Sequence, residues 1–296
     1  MRIRNSYFRN YMKNTSILLL SLLLLVGCKM GDKAQEATSQ TEESQPKERK
    51  FPIAIEHGKF MEEDGKKLLY GGENPAWHFD ITDSELKDEQ YHFGIGRERF
   101  HALTDPQYFS ELEADKVYED SARFLLLKMG DEVKAYGIDL LTHHEIVNDV
   151  VDGKPILAAY CILADLGAVY SREYGDTSLT FALSGYTYFD PEVWDGLDGL
   201  VWWDRETEST WWPLIGKGVS GAMQDMPLKV LDESMWSQTT WKDIKGKYEQ
   251  LEVLKPDQSM EPPDSWPGFS ADKLAAIRAS EDLLPKSPPK WGEVME

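Results

Sequence analysis

His144 and Cys161 are the two side chains whose types and expected spacing would support metal or thiol chemistry. The dipeptide Asp152-Gly153 lies between two apolar runs, and such a dipeptide is the strongest short-range signal of a β-hairpin with a two-residue turn. In that register His144 falls opposite Cys161, in a non-hydrogen-bonded pair whose Cβ atoms lie about 4.5–5.5 Å apart. An imidazole beside a thiol can lower the pKa of the thiol, and the two groups can also ligate copper or zinc.

An inert cysteine is the alternative interpretation, and the sequence favours it. Cys161 stands among Leu157, Ala159 and Leu163, where a thiol behaves as a small hydrophobic group. The sequence contains no HExxH, GxSxG or EF-hand motif that would indicate catalysis or metal binding. We therefore predict a non-catalytic or degenerate binding protein, with a metal or thiol site at His144 and Cys161 as the more specific hypothesis.

A second hypothesis rests on the tryptophans, seven of which lie between residues 194 and 241, interleaved with carboxylates. Aromatic rings beside carboxylates are typical of sugar-binding surfaces, and a pair of carboxylates can also hydrolyse a glycosidic bond. Trp202, Trp212 and Asp204 are therefore the candidate residues for binding a glycan. Core packing is the alternative role for these rings, and we expect it in particular for Trp203 and Trp211.

The segments that must position these side chains have mainly β patterns. Residues 177–184 alternate between polar and apolar, whereas Ala122–Met129 and Ile156–Leu163 are continuous apolar runs, typical of strands buried on both faces. Further predicted strands cover residues 133–140, 199–204, 210–215 and 226–231. Short helices are predicted after Asp105 and after Ser270. We expect a mainly β (α+β) fold, with antiparallel sheets forming a sandwich or a partly closed barrel and a few short helices.

The N-terminus has the parts of a lipoprotein signal peptide. Residues 1–16 contain basic and no acidic side chains, and residues 17–26 form an apolar run of ten residues, about half the length that spans a bilayer as a helix. The run leads into Leu25-Val26-Gly27-Cys28, which resembles the lipobox of bacterial lipoproteins. We expect cleavage before Cys28 and acylation of that residue, for example with palmitate. An uncleaved signal anchor is the alternative, but the apolar run is too short for it.

This interpretation places the mature chain in the cell envelope, anchored to a membrane by lipid. Lys29 follows the lipidated cysteine, so no aspartate is present there as an inner-membrane retention signal. We therefore expect the outer membrane if the cell has two membranes, and otherwise the outer face of the cytoplasmic membrane. Residues 28–50 lack aromatic and β-branched aliphatic side chains and are predicted to form a disordered tether.

The predicted organisation after the tether is a β-rich globular domain at 51–255 and a Pro-rich C-terminal extension with a short helix at 256–296. Once the four basic residues of the signal are removed, 28 basic residues stand against 52 acidic ones, a net charge of −24. Nucleic acid is therefore excluded as a partner, because phosphate binding needs a basic surface. A glycan or another envelope protein is the expected partner.

Several segments between Arg97 and Val253 resemble a bacterial and archaeal family known as domain of unknown function 3179. The matching segments are Ala102-Leu-Thr-Asp-Pro-Gln-Tyr-Phe109, Asp131-Glu-Val-Lys-Ala-Tyr136, His144-Glu-Ile-Val-Asn-Asp149, Tyr160-Cys161, Leu179-Thr-Phe181, Ser184-Gly185, Asp204-Arg-Glu-Thr207, Trp211 and Thr239-Thr-Trp241. The resemblance implies no agreed activity.

The family hallmark is a Tyr-Cys-Pro-Leu-Cys-Gly segment, which resembles redox or metal-binding cysteine pairs. In this chain Tyr160-Cys161 is followed by Ile162-Leu163-Ala164-Asp165, so the second thiol of the hallmark is missing. The other cysteine of the sequence is Cys28, which is predicted to carry lipid. Dithiol chemistry is therefore excluded for this chain, whatever its relatives do.

Overall fold

Strands account for most of the regular structure in this computed structural model, which describes residues 56–193, 198–258 and 265–284. The strands are β1 (Glu56–His57), β2 (Phe60–Glu63), β3 (Lys66–Leu69), β4 (Phe79–Asp80), β5 (Tyr91–Phe93), β6 (Tyr108–Ser110), β7 (Arg123–Met129), β8 (Glu132–Gly137), β9 (Ile146–Val151), β10 (Lys154–Cys161), β11 (Leu166–Ser171), β12 (Glu173–Tyr174), β13 (Thr177–Ser178), β14 (Phe181–Tyr188), β15 (Gly199–Asp204), β16 (Thr210–Trp212), β17 (Lys217–Gly218), β18 (Lys229–Val230), β19 (Trp236–Thr240) and β20 (Leu251–Leu254). The α-helices are α1 (Glu111–Ala114), α2 (Ile138–His144), α3 (Trp241–Ile244) and α4 (Ala271–Ala279), and short 3₁₀ turns cover Pro75–Trp77, Asp88–Gln90, Pro213–Ile215 and Gly221–Met223.

Three larger sheets carry the fold. A six-stranded sheet has the order β1-β5-β14-β15-β16-β17, a four-stranded sheet β18-β11-β10-β9, and a five-stranded sheet β19-β7-β8-β20-β6. Neighbouring strands run antiparallel, except that β20 pairs with β8 in parallel. Two smaller sheets, β2-β3-β4 and β12-β13, complete the set. The prediction of a mainly β fold with antiparallel sheets is confirmed, and the described strands form no closed barrel.

The four-stranded sheet is the middle layer of a three-layer stack. Along β10, Leu157 and Ala159 join the apolar core shared with the six-stranded sheet, whereas Ala158 and Tyr160 join the core shared with the five-stranded sheet. Alternate side chains of a strand point to opposite faces, so a strand with both faces covered must be apolar throughout. The prediction of a strand buried on both faces is therefore confirmed for Ile156–Tyr160. It is wrong for Ile162 and Leu163, which lie in the turn after β10, where Ile162 is 49% exposed.

The predicted helix after Asp105 begins later than expected. Tyr108 and Phe109 form a strand that pairs with Leu254 and Val253 of β20. The helix starts only after Ser110, whose side chain and backbone both bond with Glu113 in a capping box. Pairing with β20 therefore prevents a helix from starting at Pro106, and the helix begins at the capping box instead.

The C-terminal helix α4 forms where it was predicted and packs against the domain. The Ser270 side chain caps it by accepting a hydrogen bond from the Lys273 backbone N–H. Ile277 is buried in the core of the six-stranded sheet, and Arg278 donates to the carbonyls of Ala222 and Gln224. This part of the predicted extension therefore contributes to the folded domain.

No helix among the described residues is long and apolar enough to cross a membrane. The predicted signal peptide, Cys28 and the tether lie outside the described residues, as does Trp194.

Candidate functional site: the Cys161 pocket

Cys161 is the last residue of β10 and pairs with Leu166 across the following turn. Its side chain packs against the core of the six-stranded sheet. Burial raises the pKa of the Cys161 thiol above its usual value of 9.0, and this effect outweighs hydrogen bonds from backbone N–H groups of Ala164, Leu200 and Leu163, which act in the opposite direction. The thiol is therefore protonated at neutral pH.

A cavity of about 40 Å³ opens beside this thiol, between the middle sheet and the six-stranded sheet. Among the described residues no charged side chain lines it; its walls are Ala159, Tyr160, Cys161, Ala164, Leu166, Ala168, Tyr170, Gly199, Leu200, Trp202, Pro213 and Leu214. The rings of Tyr170 and Trp202 meet edge to face, with centroids 5.5 Å apart. We call this cavity the Cys161 pocket.

Gly199 allows the pocket wall from β15 to lie close to its neighbours. A Cβ atom at this position would come within 2.7 Å of Leu214 Cδ1 and 2.9 Å of Trp212 Nε1. Both distances are shorter than real Cβ contacts, so a larger residue would displace the wall. The glycine at the start of β15 is therefore a requirement of the site geometry.

The predicted hairpin register is confirmed from Val151↔Lys154 to Ile146↔Ala159, but the predicted cross-strand pairing of His144 with Cys161 is wrong. His144 is the last residue of α2 and not part of β9. Its ring Nδ1 lies 2.7 Å from the His101 carbonyl oxygen. Because a carbonyl can only accept, Nδ1 donates this bond, and the ring is oriented by the backbone at His101.

The donor set does not fit the copper or zinc site predicted at His144 and Cys161. No group of three or more His, Cys, Asp or Glu side chains in the described part of the chain is arranged to hold a metal ion. The Cys161 thiol is also protonated, whereas a metal ligand must be a thiolate. We therefore derive no metal chemistry for this site.

The predicted glycan-binding surface of Trp202, Trp212 and Asp204 is also wrong, because all three are buried, with exposed fractions of 3%, 1% and 0%. The core positions predicted for Trp203 and Trp211 are confirmed by exposed fractions of 3% and 0%. Consecutive tryptophans of one strand can both be buried here because both faces of the six-stranded sheet are covered. Trp202 instead forms part of the Cys161 pocket.

Asp204 has a structural role within the loop that follows β15. Its carboxylate accepts hydrogen bonds from Thr207 and from Trp211 Nε1, the latter at 2.9 Å. Burial raises the pKa of Asp204 to about 7, in spite of these bonds.

Glu145 is a buried residue that the sequence analysis did not single out. Only 5% of the residue is exposed, and burial alone raises the pKa of its carboxyl to about 8. Its φ of +57° lies in the left-handed region, although it is not glycine. The one sequence signal was its place in the segment His144-Glu-Ile-Val-Asn-Asp149 that resembles the family.

A second cavity is a wide polar cleft of about 710 Å³. It lies between the small sheet β2-β3-β4 and the loop after β15, and its lining includes Glu63, Lys66, His78, Asp80 and Glu208. We call it the polar cleft. Its ionisable side chains distinguish it from the uncharged Cys161 pocket.

The chain is therefore a β-rich protein of three layers, with a candidate binding site at the end of β10. The family model described as "Protein of unknown function (DUF3179)" matches residues 97–281. The chain belongs to this family. The match extends past the predicted limit at Val253 and includes α4, in agreement with the packing of that helix. No curated protein and no solved structure matches the chain.

The segment that corresponds to the hallmark forms a turn between β10 and β11 in this chain. Ala164 occupies the position of the second cysteine and approaches the Cys161 sulfur through its backbone N–H. Asp165 occupies the position of the hallmark glycine and has a φ of +49°, a conformation that aspartate tolerates better than most residues. The turn therefore presents a single thiol.

Proposed function

We propose that this chain is a lipid-anchored, non-catalytic binding protein of the bacterial cell envelope, and that the Cys161 pocket binds a small, uncharged, largely apolar molecule. The observation that carries the proposal is the pocket itself: a cavity of about 40 Å³ whose walls contain no charged side chain among the described residues. Small-molecule sites are typically concave and mainly apolar.

The state of the thiol supports binding and argues against covalent catalysis. The nucleophilic form of cysteine is the thiolate, and reactive cysteines have a lowered pKa, whereas burial raises the pKa of Cys161. A second thiol for disulfide exchange is also missing from the hallmark turn. In this proposal Cys161 contributes a small, neutral, polarisable surface to the pocket.

The sequence around Cys28 supports the membrane anchor. A cationic segment, a ten-residue apolar run and the Leu25-Val26-Gly27-Cys28 segment stand in the order expected of a lipoprotein signal. Several acyl chains, at about 0.8 kcal/mol per buried CH₂, hold a protein on a membrane more firmly than one chain does. We propose the outer membrane in a cell with two membranes, and otherwise the outer face of the cytoplasmic membrane.

Replacing Cys28 by serine should block acylation and release the protein from membrane fractions. The thioether-linked lipid needs the Cys28 sulfur, and the tether offers no other apolar segment to replace it. Cell fractionation followed by carbonate extraction measures the result. Cys161→Ser is the matched control and should stay with the membrane; a Cys28→Ser protein that still resists extraction would contradict the anchor.

Filling the Cys161 pocket should abolish binding of small apolar molecules. Ala168 lines the pocket, and a phenylalanine there would occupy its volume. We expect at least one of cyclohexanone, indole and hexanol to raise the wild-type melting temperature, since a ligand at about 100 times its Kd stabilises the native state by about 2.7 kcal/mol. Ala168→Phe should remove this shift.

Val150→Phe is the control variant, because Val150 lies in the same sheet but is 52% exposed and does not line the pocket. It should respond to the compounds as the wild type does. A ligand-induced shift that persists in Ala168→Phe, or the failure of all three compounds to shift the wild type, would overturn the proposed pocket function.

A glycan is the second candidate ligand, at the polar cleft. Carboxylate and imidazole side chains such as Glu208, Asp80 and His78 line this cleft and can hydrogen-bond sugar hydroxyls. The buried tryptophans take no part in this alternative. Binding of neutral oligosaccharides that is weakened by Glu208→Gln and unaffected by Ala168→Phe would favour it.

A further inference from the structure

Three tryptophans of the six-stranded sheet bury an indole N–H that has no acceptor in the described part of the chain. They are Trp202, Trp203 and Trp212, whose Nε1 atoms have no hydrogen-bond partner within residues 56–193, 198–258 and 265–284. Trp211 shows the usual arrangement, since its Nε1–H donates to Asp204 at 2.9 Å. Buried polar groups are nearly always hydrogen-bonded, either to the protein or to ordered water. Each of the three N–H groups therefore needs an explanation.

Trp202 differs from the other two because its ring lines the Cys161 pocket. The Trp203 ring instead lies under the Arg97 guanidinium, whose Cζ is 3.6 Å from the ring centroid. The Trp212 Nε1 lies against Gly199, 2.9 Å from the position of the missing Cβ. Neither Trp203 nor Trp212 is among the described residues that form the walls of the pocket. Of the three, Trp202 is therefore the residue that borders space for a bound molecule.

The walls of the pocket indicate which chemical class would satisfy the Trp202 N–H. An indole N–H can only donate, so its partner must be an acceptor. The Tyr170 ring meets the Trp202 ring edge to face, and its hydroxyl can donate as well. Because the described walls contain no charged side chain, an ion would be buried there without a partner, which is strongly unfavourable. A neutral molecule with an acceptor oxygen fits this site better than a carboxylate or an ammonium ion.

The volume of the pocket limits how much of such a molecule is enclosed. About 40 Å³ is available, which is more than the roughly 10–15 Å³ that one water molecule needs and much less than the roughly 150 Å³ of a cavity that takes up benzene. Leu166 lines the pocket and is 48% exposed, so the pocket reaches the surface. A ligand would therefore place its oxygen and the adjoining carbon inside and leave its remaining atoms near Leu166.

We propose that the ligand of the Cys161 pocket is a neutral carbonyl compound whose oxygen accepts the hydrogen bond from Trp202 Nε1–H. This inference rests on the proposed pocket function and makes it more specific, because apolar walls alone would accept a hydrocarbon as readily as a ketone. Trp202 is then the residue that determines the specificity of the pocket.

Titration with cyclohexanone and with methylenecyclohexane, followed by NMR of the indole Nε1–H signals, tests the proposal. The two compounds have nearly the same shape, but methylenecyclohexane carries a CH₂ group in place of the ketone oxygen. Cyclohexanone should shift the Trp202 Nε1–H signal downfield in a saturable way. It should also bind about fivefold more tightly, since one hydrogen bond typically contributes about that factor. The amide signals of Ala168 and Leu200 report both affinities.

Trp202→Phe keeps an aromatic ring and removes the N–H. It should weaken the binding of cyclohexanone by about fivefold and leave that of methylenecyclohexane unchanged. Trp203→Phe is the matched control, because it removes a buried N–H from the same strand but from outside the pocket. This variant should prefer the ketone as the wild type does.

Equal affinities of the two compounds for the wild type, with no shift of the Trp202 N–H signal, would overturn the carbonyl inference and leave the proposed pocket function standing. An ordered water on the Trp202 N–H would give this result. A preference for the ketone that persists in Trp202→Phe would also overturn the inference. If neither these compounds nor indole nor hexanol binds, the pocket function itself fails. The comparison of the two compounds in the wild type stands even if Trp202→Phe does not fold.

Discussion

Replacing Trp211 by alanine should lower the free energy of unfolding by about 3–5 kcal/mol. The Trp211 side chain is fully buried, and its ring lies 5.7 Å from that of Tyr174 and 5.4 Å from that of Phe181. Its Nε1–H also donates to Asp204 at 2.9 Å. Alanine leaves a cavity between these rings and removes a hydrogen bond from a buried carboxyl, so packing and polar effects act in the same direction.

Urea titration monitored by circular dichroism measures this loss. Trp77→Ala is the matched control. Trp77 is 38% exposed, so its replacement should lower the free energy of unfolding much less. Trp211→Phe separates the two contributions: it keeps most of the ring and removes the N–H, which should cost about 1–3 kcal/mol. Similar losses for Trp211→Ala and Trp77→Ala would contradict the assignment of Trp211 to the core.

Gly185→Ala should destabilise the protein by more than about 4 kcal/mol, enough to prevent folding of many domains. Gly185 has a φ of +77° at the irregularity in the β14–β15 register between Leu183 and Tyr186. A Cβ atom there would overlap the backbone of Gly96, and backbone atoms cannot rotate away as a side chain can. The close approach is fixed by hydrogen bonds from Gly94 and Ile95 N–H to the Gly185 carbonyl.

Gly153→Ala distinguishes overlap from backbone strain. Gly153 has a similar φ of +70°, but its missing Cβ would meet no atom within 4 Å. Strain alone should cost about 1–2 kcal/mol. Thermal unfolding of both variants measures the difference, and a Gly185→Ala protein as stable as Gly153→Ala would show that the close approach to Gly96 is absent.

The register of the β9–β10 hairpin could be predicted from sequence for as long as the turn residues determine it. The Asp152-Gly153 turn fixes the register, and the pairing holds through Ile146↔Ala159. It ends there because residues 138–144 form α2, although they follow an apolar strand pattern without a break. The helix ends at Glu145 in the left-handed conformation, without the glycine or asparagine that would signal a helix end.

The pocket could not be predicted because it depends on which strand faces meet. Cys161 and Trp202 were each singled out, for two different hypotheses. They line one cavity because β10 and β15 belong to sheets that pack face to face. Periodicity shows that a tryptophan strand is apolar, but it does not show that both faces of its sheet are covered, and for this reason sequence alone leaves Trp202 and Trp212 as candidates for binding a glycan.

The central claim is that a small uncharged molecule binds in the Cys161 pocket. Amide chemical shifts measured by NMR during a ligand titration test where binding occurs. On titration with the compound that stabilises the protein most, saturable changes should concentrate at Ala159, Ala168, Gly199 and Leu200 and should disappear in Ala168→Phe. Changes that concentrate instead at the polar cleft, around His78 and Glu208, or the absence of any saturable change, would contradict the account.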